Sequence, residues 1–326
     1  MMVVMTMTSK TLFGRVIKVK ISSKTSTMTF DYDDLEIRFD VKFDDNIKPN
    51  ISTLSIYNLT KSTISKIKKN ANVTINAGYR GDVGLLVEGK ITSVKTKYEG
   101  VDKVTTIRFK EGTDYSGIKV DAKMADAPKK YFVNKRVKLK TPVKTTTVGK
   151  NGRKYTSTRT TKTIKVARWR KQTLNITFAK GTKASTIIKK LANLLDMKLS
   201  KMVLPRDNVY KKGFKVTGKI ESKLETVVKD CGASLYWRKG KPIIRSIHTG
   251  DDERFVLKSS TGLLEVSDYD DDDNEGYSVR CLLQHRISVA SIITLESNIA
   301  NAKVRVKSGH HVFDGNDFVT EFEAIK

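Results

Sequence analysis

Apolar and charged residues alternate strictly through Leu35-Glu36-Ile37-Arg38-Phe39-Asp40-Val41-Lys42-Phe43. A period of two puts every second side chain on the same face, so this segment predicts a strand with one buried and one wet face. Further strands are predicted over residues 51–58, 73–78 and 85–87, the last two joined by the turn Tyr79-Arg80-Gly81-Asp82. Another pair, 88–97 and 104–109, is joined by Glu99-Gly100-Val101-Asp102. One short helix interrupts the run. Thr60 or Ser62 can cap it, and Ile64 and Ile67 give it an apolar side. Several short strands with glycine-bearing turns point to a small barrel or sandwich, whose charged wet faces discourage random edge pairing.

The middle of the chain has a different period. Ile187, Ile188, Leu191, Leu194 and Leu195 share one helical face, predicting a helix over 185–197 capped by Ser185 or Thr182. A second helix is predicted over 222–231, with Gly232 as its stop, and a hairpin over 234–246 with its turn at Lys239-Gly240. Residues 141–163 are rich in Thr and basic, with the turn Gly149-Lys150-Asn151-Gly152 near the centre. They suit a long hairpin or an extended loop. After an acidic segment, 268–275, which reads as a solvated and self-repelling loop, the pattern returns to β. Strands are predicted over 277–283, 291–296, 303–307, 311–313 and 318–325, the last reached through Asp314-Gly315-Asn316-Asp317. The fold expected is mainly β with an α+β insertion, divided at about residues 120 and 250.

Charge changes the picture. The 326 residues carry 62 Lys and Arg against 35 Asp and Glu, a formal net charge of +27. Such a chain should meet an acidic partner: nucleic acid, an anionic envelope polymer or acidic protein faces. From 127 to 195 there is no Asp or Glu at all. The candidate interface residues of this basic arm (137–171) are Lys144, Lys150, Arg153, Lys154, Arg159, Arg168, Trp169 and Arg170. Cys231 and Cys281 lie far apart without metal or redox spacing and read as ordinary buried thiols. The opening MMVVMTMTSK lacks the basic and apolar regions of a secretion signal, and no stretch is long and apolar enough for a membrane helix.

Candidate chemistry is sparse. Asp268, Asp270 and Asp272 alternate as in a calcium loop, but Asp273 stands where the loop needs glycine and Val279 where it needs glutamate. His310 and His311 are adjacent, so on a strand they point to opposite faces and cannot share a metal. His248 and His285 are isolated. No nucleophile elbow, phosphate-binding glycine loop or selected carboxylate pair is present. No catalytic, cofactor or metal residues are assigned.

The order of segments resembles the baseplate hub family of bacteriophage tails, phage-derived bacteriocins included. Ile56-Tyr57-Asn58-Leu59-Thr60-Lys61 precedes the short helix, and Ala77-Gly78-Tyr79 leads into Gly89-Lys90-Ile91. Phe178-Ala179-Lys180-Gly181-Thr182 opens the Ala184-Ser185-Thr186-Ile187-Ile188 helix. Gly218 and Leu224-Glu225-Thr226-Val227-Val228 lead to Gly232-Ala233-Ser234-Leu235-Tyr236-Trp237. Gly262-Leu263-Leu264 is followed by Gly276-Tyr277-Ser278-Val279-Arg280-Cys281-Leu282-Leu283, and residues 310–322 are similar to the family's closing hairpin. Gln284-His285 stands where the family often has Asn-Pro, and the arm is an insertion. The resemblance implies two tube-type β-barrels flanking the middle region. It implies a homotrimeric, pseudo-sixfold ring joining a sixfold tail tube to a threefold tip, found in the virion tail and made in the host cytoplasm. The partners it implies are a tail tube or distal tail protein, a tape-measure protein, a tip, spike or fibre protein, and DNA in passage. The arm is expected to meet a neighbour, the tape measure or an envelope polymer. Asp268, Asp270, Asp271, Asp272 and Asp273, or parts of 31–45, are candidates for an acidic lumen. The alternatives are a nucleic-acid-binding protein and a cell-wall-binding or degrading tail component.

Overall fold

A computed structural model describes residues 12–118, 129–170, 176–271 and 274–326. The opening decapeptide lies outside them. Seven strands form the first β region: β1 (Arg15–Ser22), β2 (Thr27–Asp31), β3 (Ile37–Phe43), β4 (Ile51–Tyr57), β5 (Asn72–Tyr79), β6 (Asp82–Glu99) and β7 (Asp102–Glu111). In β3 the alternation holds: Ile37, Phe39, Val41 and Phe43 are buried. The same alternation runs through β1, where Ile17, Val19 and Ile21 are buried between exposed Lys18 and Lys20. The two segments predicted within 85–97 are one long strand, β6. Its ladder with β7 slips by a residue between Ile91 and Ser93, a β-bulge.

Helix α1 (Lys61–Lys66) starts at Thr60, whose side chain accepts the Thr63 N–H at 3.1 Å. The middle region contributes two amphipathic helices, α2 (Ala184–Leu194) and α3 (Ile220–Asp230), which pack on each other. Neither Ser185 nor Thr182 caps α2. Its N-cap position is Lys183, and Asp207 reaches in from a distant loop to accept both the Ser185 N–H and hydroxyl at 2.8 Å. A charged acceptor at a helix N-terminus satisfies the same orphan donors as a local cap. Gly232, at φ +71°, ends the α3 turn.

The remaining strands are β8 (Lys129–Val148), β9 (Lys154–Arg170), β10 (Ile176–Phe178), β11 (Thr182–Lys183), β12 (Lys201–Met202), β13 (Val209–Tyr210), β14 (Phe214–Val216), β15 (Ser234–Arg238), β16 (Lys241–Arg245), β17 (Asp251–Leu257), β18 (Leu263–Asp271), β19 (Asn274–Leu282), β20 (Ser291–Glu296), β21 (Asn301–Phe313) and β22 (Phe318–Ile325). The acidic segment is not a loop up to Asp271. It forms the outer half of β18, and Asp268 faces Tyr277 while Asp270 faces Glu275 across the β19 ladder. The segments predicted at 303–307 and 311–313 are likewise one strand, β21, with a register shift between Val306 and Ser308 in its ladder with β22.

One 13-stranded sheet runs β18-β19-β22-β21-β3-β4-β7-β6-β5-β1-β2, with β20 pairing both β21 and β17. The join is β21 against β3, with Gly309 opposite Phe43 and Phe313 opposite Phe39. Each half curls around a core to which the other half also contributes, Phe313 and Phe318 to the first and Phe43 to the second. Phe30 of β2 and Phe39 of β3, from opposite ends of the first half, share one cluster with Ile17, Ile75, Ile107 and Phe109. Phe255 of β17 and Leu263 of β18, from the ends of the other half, share a second with Val279, Ile293, Val304 and Phe322. Burial at both ends of a strand path in one cluster is the signature of a sheet rolled towards a barrel.

The chain forms two compact units. One holds residues up to 118, 178–214 and 219–326, so both β halves and the helices belong together. The other holds residues 119–177 and 215–218 and contains the β8–β9 hairpin.

Candidate functional site

Among the described residues no three His, Cys, Asp or Glu side chains converge as a metal site would require. What stands out in the larger unit is a set of ion pairs that join its two β halves and the middle region.

Asp82 begins β6, at the turn from β5. Its two oxygens each accept a guanidinium N–H of Arg286 at 2.7 Å, and His285 Nε2 lies 3.1 Å away. Burial pushes the Asp82 carboxyl up, but the hydrogen bonds from Arg286 and then His285 outweigh it and hold it below the usual range. A fork-to-fork pair of this kind fixes orientation as well as distance. Gly84 makes room for it, because a Cβ there would overlap the His285 ring.

A second cluster surrounds Tyr236 of β15. Arg245 donates to the Tyr236 hydroxyl at 2.6 Å and to both Asp251 oxygens at 2.9 and 3.0 Å. Arg238 bonds Asp251 and Glu253, and Ser291 donates to Glu253 at 3.0 Å. Arg305, only 4% exposed, donates to Asp45 at 3.3 Å, and its guanidinium lies 6.0 Å from the Tyr236 ring centre. Burial pushes the Asp45 carboxyl up against the pull of Arg305. Asp45 is therefore enclosed in an ion pair and is not part of an open acidic face. Asp40, from the same acidic segment, lies 3.0 Å from His310 Nδ1, and Glu321 lies 3.1 Å from its Nε2. His310 bridges β3, β21 and β22, and the bond to Asp40 raises its pKa. His311 points the other way. It is buried, lies 2.8 Å from Thr320 Oγ1, and burial lowers its pKa to about 3.

A third joint fastens β7 to the β15–β16 turn. Lys239 and Gly240 both have positive φ, giving the tight two-residue turn expected there. The Gly240 N–H donates to Glu111 at 2.9 Å. Trp237 stacks on Tyr115 and donates its indole N–H to the Ile47 carbonyl at 3.0 Å.

The basic candidates lie on the other unit. Lys144 is on β8, Lys150 and Arg153 are in the turn, and Lys154, Arg159 and Arg168 are on β9, all with exposed side chains. Trp169 and Arg170 are within β9, but their side chains lie outside the described ones. The 141–163 segment, left open between hairpin and loop, is a hairpin paired from Lys129↔Arg170 to Val148↔Lys154. The ladder breaks between Lys138 and Val143, where Pro142 has no N–H to offer. The acidic candidates Asp268, Asp270 and Asp271 are on β18, whereas Asp272 and Asp273 lie outside the described residues. Sequence reasoning did not single out Asp82, Arg286, Asp45 or Arg305. A charged residue inside an apolar strand, as in Val304-Arg305-Val306, is the one signal that marks such a joint beforehand.

No family model matches the sequence, and no curated protein matches it. Solved structures do. The 43 kDa tail protein of prophage MuSo2 from Shewanella oneidensis superposes with a TM-score of 0.57 at 7% identity, over 96% of this chain and 98% of that one. The tail protein from Neisseria meningitidis MC58 gives 0.56 at 8%, over 96% and 97%. The c3393 protein of E. coli gives 0.54 at 8%, over 94% and 76%. It is a component of the type VI secretion system with structural similarity to the T4 bacteriophage tail proteins gp27 and gp5. The chain thus has the fold of these tail proteins over most of its length. None of its described helices is long and apolar enough to cross a membrane.

Proposed function

We propose that this chain is the structural hub of a phage or phage-like tail baseplate. Three copies form a ring, and the two β halves of each present six similar faces to a sixfold tube on one side and a threefold tip on the other. The observation that carries this reading is the architecture itself: two cores on one continuous sheet, matched over almost the whole length of two solved tail proteins. The ion-paired joints suit the role, because an adaptor under mechanical stress needs its halves held in one orientation. The role asks for no reaction and no cofactor. The chain acts in the assembled tail beside tube, tape-measure and tip proteins, and DNA passes through the ring.

Native mass spectrometry of the purified chain, alone and with its tube and tip partners, tests the proposal. A trimer is expected, together with threefold density at the tube–tip junction of the native particle. A chain that stays monomeric with its partners and is missing from that junction overturns it. Purified peptidoglycan should not be cleared by the chain; clearing would establish an enzyme instead.

A further inference from the structure

The β8–β9 hairpin has no role in the hub architecture, and its chemistry is unlike the rest of the chain. Residues 129–170 hold fifteen Lys and Arg and no Asp or Glu. Its strands have 20 and 17 residues, so the ribbon reaches roughly 60 Å at about 3.4 Å per residue. That is one positive charge for about every 4 Å of ribbon, well inside a Debye length of about 8 Å at physiological salt. The cations therefore repel one another continuously along the ribbon. No described cation on it is ion-paired within the chain, in contrast to those of the larger unit.

We infer that this ribbon is a binding arm for duplex DNA, gripping phosphates without reading sequence. Three observations select that occupant. The cations lie on both faces: Lys144 and Arg159 belong to opposite ones, since Lys144 pairs with Thr158 and Arg159 with Val143. A partner that surrounds the ribbon satisfies both, and the B-form major groove, about 12 Å wide, admits a two-stranded ribbon. Next, the exposed surface is Lys, Arg and Thr, with Lys outnumbering Arg ten to five over 129–170, and the apolar side chains of Phe132, Val143, Val148 and Tyr155 are scattered among them. Protein interfaces are depleted in Lys and built around a contiguous apolar centre. Finally, the distal half pairs hydroxyls with hydroxyls, Thr145 with Ser157 and Thr146 with Thr156. These are short phosphate donors between the longer cations. DNA carries one negative charge per about 1.7 Å, dense enough to neutralise the whole ribbon.

The test uses the full chain and a 30-base-pair duplex followed by fluorescence anisotropy across a salt series. One variant replaces Lys144, Lys150, Arg153, Lys154, Arg159 and Lys162 with Gln. A control replaces Lys61, Lys66, Lys68, Lys69, Lys189 and Lys190, equally many exposed cations of the other unit. The ribbon variant should bind at least about 100-fold more weakly near physiological salt. Its salt slope should fall by about 5, from six cations at roughly 0.9 for each phosphate that is no longer neutralised. The control should weaken by less than about threefold. Duplex DNA should also protect the ribbon's Lys and Arg bonds from trypsin in the unmodified chain, a readout that needs no variant. Equal losses in both variants would reduce the effect to bulk charge and overturn the assignment. So would absence of ribbon protection, displacement of the duplex by poly-L-glutamate at equal charge, or equally tight binding of A-form duplex RNA, whose major groove is too narrow for a ribbon.

Discussion

Glu111 offers the sharpest test of how the middle region is fastened to the first β half. It ends β7, is 3% exposed, and accepts the Gly240 N–H at 2.9 Å. Burial, only partly offset by that bond, raises its pKa from 4.5 to about 7. The gap between the two values corresponds to about 3 kcal/mol between the protonation states. Because the folded value is the higher one, the folded chain holds a proton that the unfolded chain has already released. The protonated carboxyl's contribution is therefore complete below pH 4.5 and is lost as pH rises through 7. Glu111→Gln keeps the acceptor for Gly240 and removes the titration. The variant should match the unmodified chain at pH 5 and exceed it by about 2–3 kcal/mol at pH 8. Urea unfolding followed by Trp237 fluorescence at the two pH values measures this, since Trp237 stacks on Tyr115 in the same joint. A Gln variant that is less stable at pH 8, or equally stable at both, would refute the argument. It would mean that Glu111 is ionised in the fold and held by a cation.

His311 should act in the opposite sense. Its folded pKa, lowered to about 3, means that the unfolded chain takes the proton first, so stability falls as pH drops from 6.5 towards 3. His311→Gln should remove about 2 kcal/mol of the loss between pH 7 and 5, read from the same unfolding curves. Asp82→Asn leaves Arg286 without its carboxylate and should cost about 3 kcal/mol, whereas the paired change Asp82→Asn with Arg286→Met should cost less than the sum of the two singles. Gly112 has φ +71°, and a Cβ there would overlap the Trp237 ring. Gly112→Ala should cost at least about 2 kcal/mol and shift Trp fluorescence to the red. Replacing the β8–β9 hairpin with a short Gly-Ser linker should leave the melting temperature of the larger unit within about 2 °C while weakening tail assembly or infectivity.

Much of the β architecture was legible because alternation is local. Val41 and Phe43 declare their buried face through their neighbours alone, and β20 and β22 begin and end where their patterns do. What escaped was set by distant partners. Nothing near Ser185 shows that Asp207 will cap its helix, and the acidic run became a strand because β19 supplies a ladder for it. Asp45 reads as one more surface carboxylate until Arg305 closes over it from the far end of the chain. The joints combine residues of low local information, each unremarkable until the sheet brings them together. The basic arm was visible from charge alone, but its form as one continuous ribbon depended on pairing that Thr-rich sequence permits without demanding.

The pairing of β3 with β21 has a consequence during synthesis. His310 and Asp40 meet across that seam from positions 270 residues apart. At roughly 5–20 residues per second, a ribosome takes about 15–50 s to make the intervening polypeptide. For the part of that interval after β7 has been made, the nascent first half presents the outer edge of β3 uncovered, and Phe313 and Phe318, which belong to its core, do not yet exist. Two neighbouring ribosomes on one message would carry identical open edges side by side. Slow or stalled translation should therefore favour mispaired chains over folded ones, and yield should depend on translation speed and on chaperone supply more than on the stability of the finished molecule.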